Sequence, residues 1–173
     1  MDATATFNGL AVAVLIFVTL QRLGELVLAN RNTARLLARG AVEVAPGHYP
    51  LIVAVHTAWL AGLWLLATNR APNLPLLAVF AMLQAARIWV LATLGERWTT
   101  RIIVLQDAPL VRTGPYRIVS HPNYCIVAAE IAILPLAFGL TWFALVFSPL
   151  NAAVLAIRLK AESRALRGNT AKV

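Results

Sequence analysis

The sequence predicts an all-α, multi-span integral membrane protein with about five transmembrane segments, the last two forming a helical hairpin. Three observations predict this. The 173 residues are 60% hydrophobic and only 13% charged, whereas soluble domains are about 45–50% apolar and about 25% charged. The apolar residues gather into runs of the length, about 20 residues, that a helix needs to cross the hydrocarbon core. The basic residues concentrate in alternate connections, as the positive-inside rule requires. No stretch is left for a separate soluble domain. Residues 1–173 read as one membrane domain, with three spans in 1–94 and a polar loop, hairpin and terminal helix in 95–173.

Taken in order, Phe7 to Leu28 is the first span, with Gln21, Arg22 and Glu25 near its end. The N-terminal MDATATFNG is acidic, has no basic leader and precedes no clear small-residue cleavage site, so the span reads as retained. The connection Ala29 to His48 begins RNTARLLARG, with Arg31, Arg35 and Arg39 spaced four apart. That spacing predicts an amphipathic piece lying on the membrane surface and stopping at Gly40. Tyr49 to Thr68 is the second span, Asn69 to Asn73 a tight turn containing Pro72, and Leu74 to Leu94 the third span.

Gly95 to Asn123 is the long polar connection. Within it TTRIIVL has the β-branched character of a short extended piece. Asp107-Ala108-Pro109 and Gly114-Pro115 read as turns. Tyr124 to Arg158 is apolar except for Glu130 and breaks near Phe138-Gly139, which gives the hairpin. Its first limb, ending near Ala137, reaches only about 21 Å at 1.5 Å per residue. It crosses fully only if it tilts or the bilayer thins. Pro135 and Pro149 can kink the two limbs.

The formal net charge is +8 and the pI is near 11.1. In a membrane chain these charges are topology signals and contacts to anionic lipid, and no nucleic-acid partner is expected. Arginines lie in the first connection (Arg31, Arg35, Arg39) and in the third (Arg97, Arg101, Arg112, Arg117). Arg158, Lys160, Arg164, Arg167 and Lys172 fill the tail, whereas the second connection has only Arg70. The N-terminus is thereby expected outside and the C-terminus in the cytoplasm. Two lysines against thirteen arginines, with abundant alanine and leucine, fit a GC-rich bacterial genome, hence a bacterial plasma membrane.

Chemistry concentrates in LVRTGPYRIVSHPNY, Leu110 to Tyr124, and in RLKAESRAL, Arg158 to Leu166. A helix starting at His121-Pro122-Asn123-Tyr124 places Pro122 in its first turn, where the missing N–H costs little. Its free N–H groups and positive dipole end favour an anion. The bland alternative is a histidine and a tyrosine anchoring a span at the interface. Arg158 and Glu162, four apart, share a helix face; they are either an ordinary surface ion pair or a lipid-facing cation beside an acid. Ionisable groups inside the membrane are functional candidates by default. Here they are Arg22, Glu25, Arg87 and Glu130, with snorkelling and mutual pairing as the plainer reading. His56, in mid-span, reads as a packed, hydrogen-bonded histidine. The single cysteine, Cys125, and three scattered histidines give no metal framework. No glycine-rich phosphate loop or GxGxxG occurs.

With these motifs in hand, the chain resembles the isoprenylcysteine carboxyl methyltransferase family, in its bacterial branch. The resemblance lies in Leu110-Val111, Gly114-Pro115-Tyr116, His121-Pro122-Asn123-Tyr124 and, after the hairpin, Arg158…Glu162…Leu166. It covers roughly the C-terminal 75 residues strictly, and the first two spans more loosely. The chain departs from the family pattern at Ser120, Ser163, Cys125 and Ile126. The resemblance implies a methyl donor, S-adenosylmethionine, released as S-adenosylhomocysteine. It implies that Leu110, Val111, Tyr116, His121, Pro122, Asn123, Tyr124 and Glu162 line the donor site, and that Arg158 is catalytic and holds the acceptor. The acceptor would be a lipophilic small molecule or lipidated substrate reached from the membrane lipids, methylated on a carboxylate or on a hydroxyl oxygen. No metal is implied. Two other classes stay open: an NADPH-dependent membrane reductase of sterol-reductase type, and a non-enzymatic membrane subunit.

Overall fold

A computed structural model of the chain describes residues 8–105, 108–109 and 111–170. Among these, five helices follow one another: α1 Gly9–Ala38, α2 Tyr49–Leu66, α3 Leu74–Leu94, α4 Pro122–Ala137 and α5 Thr141–Thr170. Four helical stretches are long and apolar enough to cross a membrane: Gly9–Ala38, Tyr49–Leu66, Leu74–Arg97 and Thr141–Arg164; α4 is the shorter apolar helix. The protein is an all-α, multi-pass membrane protein. Its only departure among the described residues is a two-residue antiparallel pairing, β1 Val42–Glu43 with β2 Ile103–Val104, in register Val42 to Val104. The TTRIIVL piece thus finds its partner in the first connection.

Helix boundaries follow local chemistry. Asn8 and Asn73 cap α1 and α3, each side chain accepting an N–H three residues on, from Ala11 at 3.1 Å and from Leu76 at 3.0 Å. Pro122 opens α4. Gly139, at φ +68°, supplies the left-handed residue that turns α4 into α5. The two long prolines are absorbed: α5 runs through Pro149, and Pro135 sits in the last turn of α4.

One expectation fails. RNTARLLARG is not a separate surface piece; α1 continues through it without interruption and ends at Arg39 and Gly40. No breaker stands between Leu28 and Gly40, and the inner side of this last portion is fixed by packing. Asn32 is buried, and its amide donates to the Gly95 carbonyl at 3.1 Å and the Trp98 carbonyl at 2.9 Å. At 30 residues the helix is about 45 Å long, so a full helical end stands clear of a ~30 Å core.

The helices alternate in direction, and α4 packs most extensively, against α3 and α5. At one end the Asn8 main-chain N–H donates to the Thr68 carbonyl at 2.8 Å and the Asn73 N–H to the Ala137 carbonyl at 2.7 Å. The other end gathers the two arginine-rich connections and the basic end of α5. The core between them is built from Leu15, Trp59, Leu63, Phe80, Ile131, Leu134 and Phe138. The outward faces carry exposed Leu20, Leu65, Met82, Ile88 and Trp142. So large an apolar exterior suits hydrocarbon rather than water.

Candidate active site

The start of α4 positions two rings. His121 precedes the helix in a non-helical conformation, and its carbonyl accepts the Tyr124 N–H at 3.1 Å. The turn stacks the His121 and Tyr124 rings, centroids 5.3 Å apart and planes within 6°. From α5, Arg158 and Glu162 project on one face toward the same point. The Tyr124 hydroxyl donates to Glu162 Oε2 and accepts from Arg158 Nε at 2.8 Å. Arg158 and Glu162 are therefore joined through a phenol; among the described residues no direct ion pair links them. The Arg158 guanidinium also lies 5.6 Å from the Tyr124 ring centroid, within cation–π range. Two polar segments more than thirty residues apart thus meet within one small molecule's reach.

The long connection closes over this corner. Arg158 donates to the Thr100 carbonyl. The Thr100 hydroxyl donates to the Tyr49 hydroxyl at 3.3 Å. Next to it Arg101 pairs with Glu43 at 3.1 Å and lies 5.1 Å from the Tyr49 ring. Together with the Asn32 amide, these contacts hold the loop to the first connection. A main-chain carbonyl carries no residue signature, so the Thr100 contact was not legible in the sequence. Asn32 and Tyr49 were missed as well; asparagine inside an arginine-rich helix end was the available signal.

Tyr116 lies on the 3-10 turn Gly114–Arg117, half-buried and within electrostatic reach of Glu162. Burial first, and then the Glu162 carboxylate, pushes its phenol up to about 12. The group stays a neutral donor at any ordinary pH. Gly114 makes the turn possible. Its φ is +55°, and a Cβ there would meet Thr93 Oγ1 at 2.6 Å and Trp89 Nε1 at 3.3 Å.

Pro122 is buried, and Asn123 is half-buried with its Oδ1 buried and unpartnered. Val111 is half-buried in the irregular segment before the turn. Leu110 lies outside the described residues. Of the other expected residues, Tyr116, His121, Tyr124, Arg158 and Glu162 are brought together.

Deeper in the bundle the four intramembrane charges pair with one another, as the plainer reading held. Arg87, 3% exposed, chelates Glu25 through Nε and one terminal nitrogen, the latter at 2.6 Å, and reaches Glu130 at 3.0 Å. Arg22 bonds Glu130 at 2.6 Å, and Gln84 donates to the other Glu130 oxygen at 2.9 Å. Glu130 is wholly buried. Two cations and two anions cancel, as burial in hydrocarbon demands.

The geometry can hold an amphipathic molecule: a cation, a carboxylate, hydroxyls and stacked rings at one bundle end, with apolar helices beneath. Among known proteins, the chain is 35% identical to "Uncharacterized protein YpbQ" of Bacillus subtilis, over 94% of this chain and 98% of that protein. It is 28% identical to an uncharacterized protein of Haemophilus influenzae, over 84% of this chain and 88% of the relative. No solved structure matches it significantly. The profile of the isoprenylcysteine carboxyl methyltransferase (ICMT) family matches residues 76–168, which spans α3, the polar loop, the hairpin and the Arg158–Glu162 face. The chain belongs to that family of membrane methyltransferases.

Proposed function

We propose that the protein is an S-adenosylmethionine-dependent O-methyltransferase acting on a lipid-like acceptor at the cytoplasmic face of a bacterial plasma membrane. The observation that carries the reading is the Tyr124 hydroxyl bridging Arg158 and Glu162: the two motif segments converge where family resemblance calls for one cofactor. The residues present fit that group. Asn123 Oδ1 is a buried acceptor without a partner, suited to an amine of the donor. Glu162 is an acid for its ammonium, and the positive end of the α4 dipole favours its carboxylate. Leu110, Val111, Tyr116, His121, Pro122 and Tyr124 complete the lining in this reading.

When bound, S-adenosylmethionine supplies a methyl on a cationic sulfur, and transfer to an acceptor oxygen breaks the carbon–sulfur bond to leave a neutral thioether. The protein's work is alignment. Arg158, tied to Tyr124 and to the Thr100 carbonyl, has its guanidinium fixed in place and holds the acceptor oxygen. A carboxylate acceptor is already ionised and needs only that positioning; a phenol or enol also needs to lose its proton. Tyr116, a neutral donor at working pH, orients rather than removes a proton. The apolar tail stays among the helices.

Titration of the purified protein with S-adenosylhomocysteine and with NADPH tests this. Saturable binding of the first alone is expected. Glu162→Ala and His121→Ala should abolish it while the protein still folds. Arg158→Ala should retain binding and lose most methyl transfer to membrane lipids, read by mass spectrometry. Binding of NADPH, or of neither ligand, would refute the methyltransferase reading.

A further inference from the structure

The long polar connection carries an apolar tip just before it enters α4. Ile118 and Val119, between the turn Gly114–Arg117 and the start of α4, are 78% and 42% exposed. Arg112, Arg117 and Ser120 around them are exposed as well. Scattered apolar residues on a surface need no explanation. What matters here is the depth at which these two stand.

Two features fix that depth. The far ends of α3 and α4 are level, since the Asn73 N–H donates to the Ala137 carbonyl at 2.7 Å. From there the two helices pack along one another, but α3 has 21 residues and α4 only 16. At about 31 Å, α3 just crosses a ~30 Å hydrocarbon core. The start of α4 therefore stands about 7 Å inside that boundary, level with Trp89 rather than with Leu94. The turn Gly114–Arg117 reports a similar level. A Cβ at Gly114 would meet the side chains of both Thr93 and Trp89, so the turn lies beside the last turns of α3 and not beyond its end. Ile118 and Val119 join these two recessed elements. The α3 surface at that height is apolar too, with Ile88 66% and Trp89 50% exposed, and tryptophan is enriched where a membrane meets water. Among the described residues neither Arg112 nor Arg117 pairs with an acid. Unpaired guanidiniums flanking an apolar tip match phosphates above acyl chains.

We propose that Ile118 and Val119 dip into the leaflet at this end of the bundle, among acyl chains, while Arg112 and Arg117 rest on the phosphates of anionic phospholipid. The tip lies two residues from Tyr116 on one side and two from His121 on the other, so it moors that part of the candidate site to the membrane. Nitroxide labels at Ile118→Cys and Val119→Cys, placed singly in a Cys125→Ser background, test this in nanodiscs of phosphatidylglycerol and phosphatidylethanolamine. Power-saturation EPR compares oxygen, which concentrates in hydrocarbon, with a water-soluble nickel chelate. Met82→Cys, on the exposed side of mid α3, gives the lipid reference, and Arg39→Cys, at the exposed end of α1, the aqueous one. Both tip labels should side with Met82, open to oxygen and shielded from nickel. Ile118→Asp should carry the Val119 label to the aqueous side. Arg112→Ala combined with Arg117→Ala should make that label shallower in the anionic nanodiscs but not in phosphatidylcholine, with unfolding midpoints confirming that each variant folds. Tip labels that side with Arg39 overturn the insertion. Labels shielded from both reagents mean that protein covers the tip, and overturn it equally. A depth indifferent to both arginines in anionic lipid overturns their contact with phosphate.

Discussion

Tyr124 joins a cation to an anion through one oxygen, which explains why Arg158 and Glu162 do not collapse onto each other. The phenol takes a proton-donor role toward the acid and an acceptor role toward the guanidinium, so both ends of the face stay oriented. Tyr116 offers a titration that reports on the same acid. Its phenol is raised from the ordinary value near 10 to about 12, so between those values the unfolded chain has released a proton that the folded chain keeps. Stability therefore falls as pH rises from about 10 to about 12. Tyr116→Phe should remove that part of the alkaline decline, and Glu162→Gln should lower the midpoint of Tyr116 ionisation, both followed by phenolate absorbance. A midpoint unmoved by Glu162→Gln would separate the two residues. The residues of this corner were legible because side-chain chemistry leaves a mark in sequence: His-Pro, two tyrosines, and an arginine four before a glutamate. The Thr100 carbonyl that fixes Arg158 left none.

Single elements were legible where one period or one breaker decides the outcome. Leu74 to Leu94 is both the sequence span and the observed helix, because Asn73 and Gly95 bracket an uninterrupted apolar run. The arginine-rich stretch after Leu28 misled for a tertiary reason. Its four-residue spacing reads as an interfacial helix, but the buried side holds Asn32, Thr33 and Leu36, and the helix continues without interruption. The turn Gly114–Arg117 shows the opposite dependence, where one residue's smallness sets an element. Gly114→Ala must strain a left-handed backbone position and push into the Thr93 side chain. It should lower the unfolding midpoint by a few degrees, corresponding to roughly 1–3 kcal/mol. It should also weaken S-adenosylhomocysteine binding by displacing Tyr116. A calorimetric scan and a binding isotherm of the same sample would check both.

At the scale of the whole molecule, the bundle is tied by charge as well as by packing. Arg87 joins α3 to α1 and α4 at once, and Arg22 joins α1 to α4. Arg87→Met should leave Glu25 and Glu130 short of a cation and cost about 3–5 kcal/mol. Arg39→Ala, which breaks an exposed pair with Glu96, should cost under about 1 kcal/mol. Denaturant titration in detergent micelles distinguishes the two, and equal losses would mean that the buried cluster adds nothing special. The sequence named the four charges but not which helices they would lace together, since partner choice depends on helix rotation and depth that no local pattern records.

That cluster has an electrical corollary. A transmembrane voltage acts on each elementary charge it spans with about 2.3 kcal/mol per 100 mV, enough to drive gating where arginines stand uncompensated. Here the two guanidiniums and two carboxylates sit interlocked at a similar depth, and the pulls on them oppose. An energised membrane exerts almost no net force on the centre of this fold, and the helices keep their places whether the cell is charged or not.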